Sequence, residues 1–179
     1  MATPSVANAQ PLKSNVPLDS VQTFNEICYK RVPDVEGINN MALDLGWRPL
    51  AENDLVAFGD IASLKSLKGW DVKIGKRFYR LGLTQGAVIG KIKSSFPEFA
   101  NGTTTSCTLI LDGGETNAQI AQDVRTLAGK EPASTNVDEG TLLTTTFAGG
   151  NADFKVFLFN KASKVEDGGL LNVTVVSKN

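Results

Sequence analysis

The chain contains no histidine. That excludes Ser-His-Asp and Cys-His catalysis, and with them the side chain that most often serves as a general base near neutral pH and as a transition-metal ligand. Carboxylate or lysine chemistry stays open. Charge of one sign is also lacking: 18 basic residues stand against 19 acidic ones, for a net charge of −1. A polyanion-binding surface rests on a clear positive excess, so nucleic acid is not the expected partner. No apolar run approaches the roughly 18–20 residues of a membrane-spanning helix. Neither GxxxxGK(S/T) nor a strand–GxGxxG–helix arrangement occurs, and Gly82, Gly86 and Gly90 recur on strands and turns rather than at a helix start. The acidic turns Asp138-Glu139-Gly140 and Glu166-Asp167-Gly168 lack the alternating oxygen ligands of a calcium loop. We therefore expect neither a cofactor nor a metal site.

What is present is an ordinary globular composition: 179 residues, 41% apolar and 21% charged. A chain of this length buries about 70% of its unfolded surface, enough for a core without staples. We expect a tail over residues 1–17 and a single α+β domain over 18–179. In the tail, Ala7-Asn8-Ala9 before Gln10 has the small-x-small pattern that signal peptidase reads, but no basic n-region or apolar h-region stands before it. Two readings stand: the cleavage-proximal end of a signal peptide, or a small-residue tail.

Strand and helix patterns centre on Thr103–Ser177. Thr103–Leu111 alternates with period two, placing Cys107, Leu109 and Leu111 on one face, as in a half-buried strand. Thr116 with Gln119 has capping-box spacing, Ile120, Val124 and Leu127 follow at helical spacing, and Gly129 supplies the stop, so a helix is predicted over 116–128. Thr141–Ala148, Asp153–Asn160 and Leu170–Ser177 read as a C-terminal three-stranded antiparallel meander. Upstream, Asp19 caps a first helix with the stripe Val21, Phe24, Ile27 and Cys28, ended by Pro33. Asp34 caps a second, and Gly46-Trp47 has the form of a Schellman stop. These predict an N-terminal helical hairpin packed on an antiparallel sheet. Between them we expect a short strand at Leu55–Phe58, a short helix over Asp60–Lys68, alternating strands at Trp70–Ile74 and Tyr79–Leu83, and a strand at Ala87–Lys93.

Cys28 and Cys107 are the only cysteines, each on the inward face of its element. In an exported protein a bond between them would close a loop of about 80 residues and stabilise by roughly 4–5 kcal/mol. In a reducing compartment they are two small buried hydrophobes. The hairpin Lys73–Arg80 carries Lys73, Lys76, Arg77 and Arg80 among aromatics, a candidate contact for an anion or an acidic partner, or simply a solvated edge. Asn101-Gly102-Thr103 and Asn172-Val173-Thr174 match glycosylation sequons.

The motifs Phe24-x3-Cys28, Pro33-Asp34, Leu45-Gly46-Trp47 and Cys107-Thr108-Leu109 together resemble the layout of small uncharacterised bacterial secreted and envelope proteins, over Phe24 to Gly129. The resemblance implies a periplasmic or secreted location and a Cys28–Cys107 bridge, and it carries no active site. The function expected is non-enzymatic binding, of a protein partner or a small apolar ligand, with a cytoplasmic location as the alternative. Two other readings compete. One is a carboxylate-dependent hydrolase or transferase using Asp112 and Glu115, beside a helix N-terminus where an anion could sit. The other is an inhibitor projecting the 131–140 loop.

Overall fold

The structure is a computed structural model that describes residues 19–138 and 140–179. The segment 1–17, with its Ala7-Asn8-Ala9 pattern, lies outside the described residues.

All strands form one antiparallel sheet of eight, in the order β1-β2-β3-β4-β8-β7-β6-β5. The first meander consists of β1 (Arg48–Pro49), β2 (Ser66–Ile74), β3 (Arg77–Ala87) and β4 (Thr103–Ile110). The second consists of β5 (Ser134–Asp138), β6 (Leu142–Gly150), β7 (Phe154–Ser163) and β8 (Leu170–Ser177). The expected C-terminal meander is therefore longer by one strand, β5, and is half of a larger sheet. The two meanders join at the centre, where β4 pairs with β8 and Cys107 lies opposite Val173.

Helices precede each meander. The first, α1 (Ser20–Phe24), starts where the Asp19 carboxylate accepts the Gln22 N–H at 2.7 Å. It widens into a π-helical turn over Asn25–Tyr29 before the Pro33 joint. The second, α2 (Val35–Asp44), is capped by Asp34 and closed as the sequence predicts: Gly46 takes φ 65° and the Trp47 N–H reaches back to the Ala42 carbonyl at 2.9 Å. The fifth, α5 (Asn117–Ala128), is capped by Thr116 and stopped by Gly129 at φ 65°. Gln119 does not close the capping box, because its amide donates to Asp123 one turn on, at 2.8 Å.

One face of the sheet is sealed by these helices. Val21, Phe24, Ile27, Cys28 and Ile38 pack with Ile120 and Val124 over Trp70, Leu81, Cys107, Leu109, Leu158 and Leu171. Phe24, Ile27 and Ile38 are fully buried, so side chains fill the space between the N-terminal helices and the sheet. Cys28 and Cys107 are bonded, tying the π turn to the central strand across 79 residues of sequence.

Three local expectations fail for the same reason. Residues 55–58 belong to the end of α3 (Glu52–Leu55) and a turn, 60–68 hold only a 3₁₀ turn at Ile61–Ser63 before β2, and Ala87–Lys93 leaves the sheet for α4 (Gly90–Ser95). In each, short apolar spacing fits both periodicities, and tertiary cover decides between them. These segments cover the second face of the sheet. A Cβ at Gly82 would meet the Phe58 ring at 2.0 Å, and one at Gly69 would meet Leu55 at 2.7 Å. The strand glycines thus let 50–58 lie close against β2 and β3. At the far end Val88, Phe99 and Val176 form a small second core, with Ile92, Phe96 and Phe157 packed against it.

Candidate functional site

Asp112, Glu115 and Arg77, read separately from the sequence, come together at one end of the sheet. Arg77 opens β3 and holds Asp112 through both oxygens, Nε at 2.7 Å and a terminal nitrogen at 2.6 Å. The same terminal nitrogen donates to Glu115 at 3.0 Å and to the Ser20 hydroxyl at 3.1 Å. Asp112 also accepts the Gly114 N–H at 3.0 Å and the Phe78 N–H at 3.3 Å. Glu115 accepts from both the Ser20 N–H, at 2.9 Å, and its hydroxyl.

This arrangement is ill suited to acid–base work. The Arg77 hydrogen bonds hold the Asp112 carboxyl below the usual carboxylate range, and the same contacts raise Arg77. A general acid or base near neutral pH needs the opposite shift for a carboxylate. Ser20 is fully buried, so no substrate reaches its hydroxyl. The cluster anchors the loop between the two meanders to β3 and α1. Asp19, Glu115 and Asp123 also gather with ligand atoms within 4.8 Å of one another. Each has a structural duty already: Asp19 caps α1, Glu115 bonds Ser20 and Arg77, and Asp123 accepts from Gln119.

The four cations of the hairpin do not make one patch. Arg77 lies on the helix side of β3, with Tyr79. Lys73 and Arg80 lie on the other side, Lys73 over the Phe78 ring at 5.3 Å and Arg80 within 3.6 Å of Asp54 and 3.9 Å of Asp71. Lys76 sits in the turn between β2 and β3. Arg48 from β1 joins Asp71, with Nε at 3.0 Å. Strand alternation is what divides the residues that the sequence places side by side.

Recessed surfaces lie on both faces; on the helix side one of about 360 Å³ is lined by Gln122, Arg125, Phe147 and Asn160 among others. A groove of about 670 Å³ lies at the β1–β4 end, lined by Leu45, Trp47 and Tyr79 from the helix side and by Asp71, Lys73 and Arg80 from the second face among others. Beyond Ile110, which pairs with Leu170, a cleft of about 280 Å³ continues across β4, β8 and β7. Its walls include Phe58, Thr108, Phe159, Lys161, Leu170 and Asn172. No family model, curated protein or solved structure matches the chain.

Sequence reasoning did not single out Thr108, Phe159, Lys161 or Asn172 as a site. Phe159 and Asn172 were visible as outward positions of their strands, but which strands adjoin was not. Asn172 of the second sequon is only half-exposed, and its amide is engaged with Thr108 and Thr174. Within the 131–140 segment Ser134–Asp138 lies along the sheet as β5, paired with β6 from Ser134 opposite Thr146 to Asp138 opposite Leu142. It is an edge strand rather than a projecting loop.

Proposed function

We propose that this is a non-enzymatic binding protein of an oxidising, extracytoplasmic compartment, and that the open second face of the sheet is its binding surface. The observation that carries the reading is the cleft of about 280 Å³ on the second face, lined by Phe58, Thr108, Phe159, Lys161, Leu170 and Asn172 where the cover of that face stops. Its lining mixes apolar, cationic and amide groups; a recess of about 360 Å³ also lies on the helix side, between α5 and the sheet, with Arg125, Phe147 and Asn160 in its lining. Such mixed, concave surfaces are where small ligands and partner side chains dock. The lowered Asp112 carboxyl and the buried Ser20 weigh against the hydrolase alternative. The Cys28–Cys107 bond supports an oxidising location, since such bonds are rare in reducing compartments. The likeness of the cysteine-bearing motifs to bacterial envelope proteins points the same way.

The test is a screen of a chemically mixed fragment library by amide chemical-shift mapping on isotope-labelled protein. Ligands should move amides of Arg80, Thr108, Phe159, Lys161 and Asn172. Shifts confined to the helix face, or turnover of a fragment that survives in an Asp112→Asn variant, would sink the reading.

A further inference from the structure

The cleft beside Phe159 has a hydrogen-bond polarity that selects its ligand. Thr174 Oγ1 donates to Asn172 Oδ1 at 2.8 Å, so it has spent its only hydrogen and accepts from Ser106 Oγ at 2.7 Å. Asn172 Nδ2 in turn donates to Thr108 Oγ1 at 2.7 Å. The chain therefore runs one way, from Ser106 through Thr174 and Asn172 to Thr108. It ends on a Thr108 hydroxyl whose own hydrogen has no acceptor among the described residues. Asn172 keeps a second amide hydrogen, and Lys161 brings three ammonium hydrogens. Lys161 makes no ion pair among the described residues, and neither Asp nor Glu lines the cleft. The polar edge is thus rich in donors and carries one positive charge. The apolar part of the lining is interleaved with it, Phe159 beside Asn172 and Leu170 beside Lys161 on neighbouring strands, with Phe58 added from the covering segment.

We infer that this cleft binds a small organic carboxylate with an apolar body, the carboxylate at Lys161, Thr108 and Asn172, the body on Phe58, Phe159 and Leu170. The inference rests on the open face being the binding surface and gives that surface a ligand class. A neutral polyol would need acceptors to match its own hydroxyl donors, and the cleft presents mainly donors. A phosphate would be poorly neutralised by a single lysine. At about 280 Å³ the cleft lies near the lower end of ligand-site volumes, which suits a ligand the size of an aromatic acid rather than a long lipid.

The test is titration of the full chain with phenylacetate, with 2-phenylethanol as the neutral counterpart, followed by amide shifts. Phenylacetate should move Thr108, Phe159, Lys161 and Asn172 and bind at least fivefold tighter than 2-phenylethanol. Lys161→Gln should weaken it at least fivefold with the spectrum otherwise retained, and Lys164→Gln should leave it unchanged. Equal affinity for the two probes, or an unaltered dissociation constant in Lys161→Gln, overturns the ligand class. So does silence toward phenylacetate while a library fragment moves those amides, and in these cases the binding surface itself stands. No shift at the cleft with phenylacetate or any library member overturns both.

Discussion

The two meanders share a topology and are held by different means. In each, helix precedes a run of four antiparallel strands whose last member reaches the centre of the sheet. The first, ending at Ile110, has both tryptophans in its core, the disulfide from helix to central strand, and Arg77 bound to the connecting loop. The second relies on one helix, whose Ile120 and Val124 pack in the core shared with Phe147, Leu158 and Leu171. Their connections differ as well. The long 50–64 connection of the first half covers β2 and β3 on the second face and its 88–102 connection reaches over to Val176 and Phe157 of the second half, which itself turns through 151–153 and 164–169 and supplies no such cover. The proposed cleft opens where this cover stops, between Phe58 and Phe159. One topology thus serves two ends, a stapled half that frames and a plainer half that presents.

Removing the staple should have the largest effect on that contrast. The Cys28→Ala/Cys107→Ala pair gives up a loop closure across 79 residues, worth about 4 kcal/mol by chain entropy. Urea denaturation should show the loss. Hydrogen exchange should locate it first in α1, its π turn and α2, ahead of β6 and β7. Equal loss across both halves would mean that the staple acts on the whole sheet and that the contrast is only topological. Arg77→Gln comes next, at about 2 kcal/mol, because it strands two largely covered carboxylates without being as deep as a fully buried pair. Its pH signature has a definite sign. Asp112 is held below its ordinary value, so its stabilisation is complete above the unfolded-state pKa of about 4 and is lost as pH falls through the folded value. The variant should flatten the acid limb of the stability curve; an unchanged limb would remove Asp112 from the account.

The helices and central strands were legible because local chemistry and tertiary need agree there. Asp19, Asp34 and Thr116 cap as their spacing requires, and Trp47 folds back over Gly46 because the stop is written in adjacent residues. The Cys107 strand alternates because one face meets helices. The segments 52–63 and 90–95 were misread because each is a short apolar piece whose conformation follows from what it covers, and Gly82 gives no hint that its missing side chain makes room for Phe58. The proposed binding face was the least legible part. Thr108, Phe159, Lys161 and Asn172 come from three strands, and only the crossing of β4 to β8 brings them together. Arg77, Asp112 and Glu115 were all noticed, but as two separate groups, because their meeting depends on the same long-range order.

Gly82→Ala tests the cover directly. Its Cβ would enter the Phe58 ring, so the ring and the 50–58 segment must move, at a cost of about 1.5 kcal/mol. Exchange in 52–58 should rise while β6 and β7 stay protected. Phenylacetate affinity should fall with it if Phe58 is a wall of the site. A stable variant with unchanged exchange would show that Phe58 rests loosely and frames nothing.

Thr23→Val should be the smallest change, and its sign is opposite. Thr23 lies on α1, in the helix layer over the sheet. Its residue is fully buried and its hydroxyl has no partner among the described residues. An unsatisfied buried hydroxyl carries its desolvation cost with nothing in return, and valine keeps the shape while removing the oxygen. Denaturation should show a gain of about 1 kcal/mol. A loss instead would mean that the hydroxyl is solvated by a buried water.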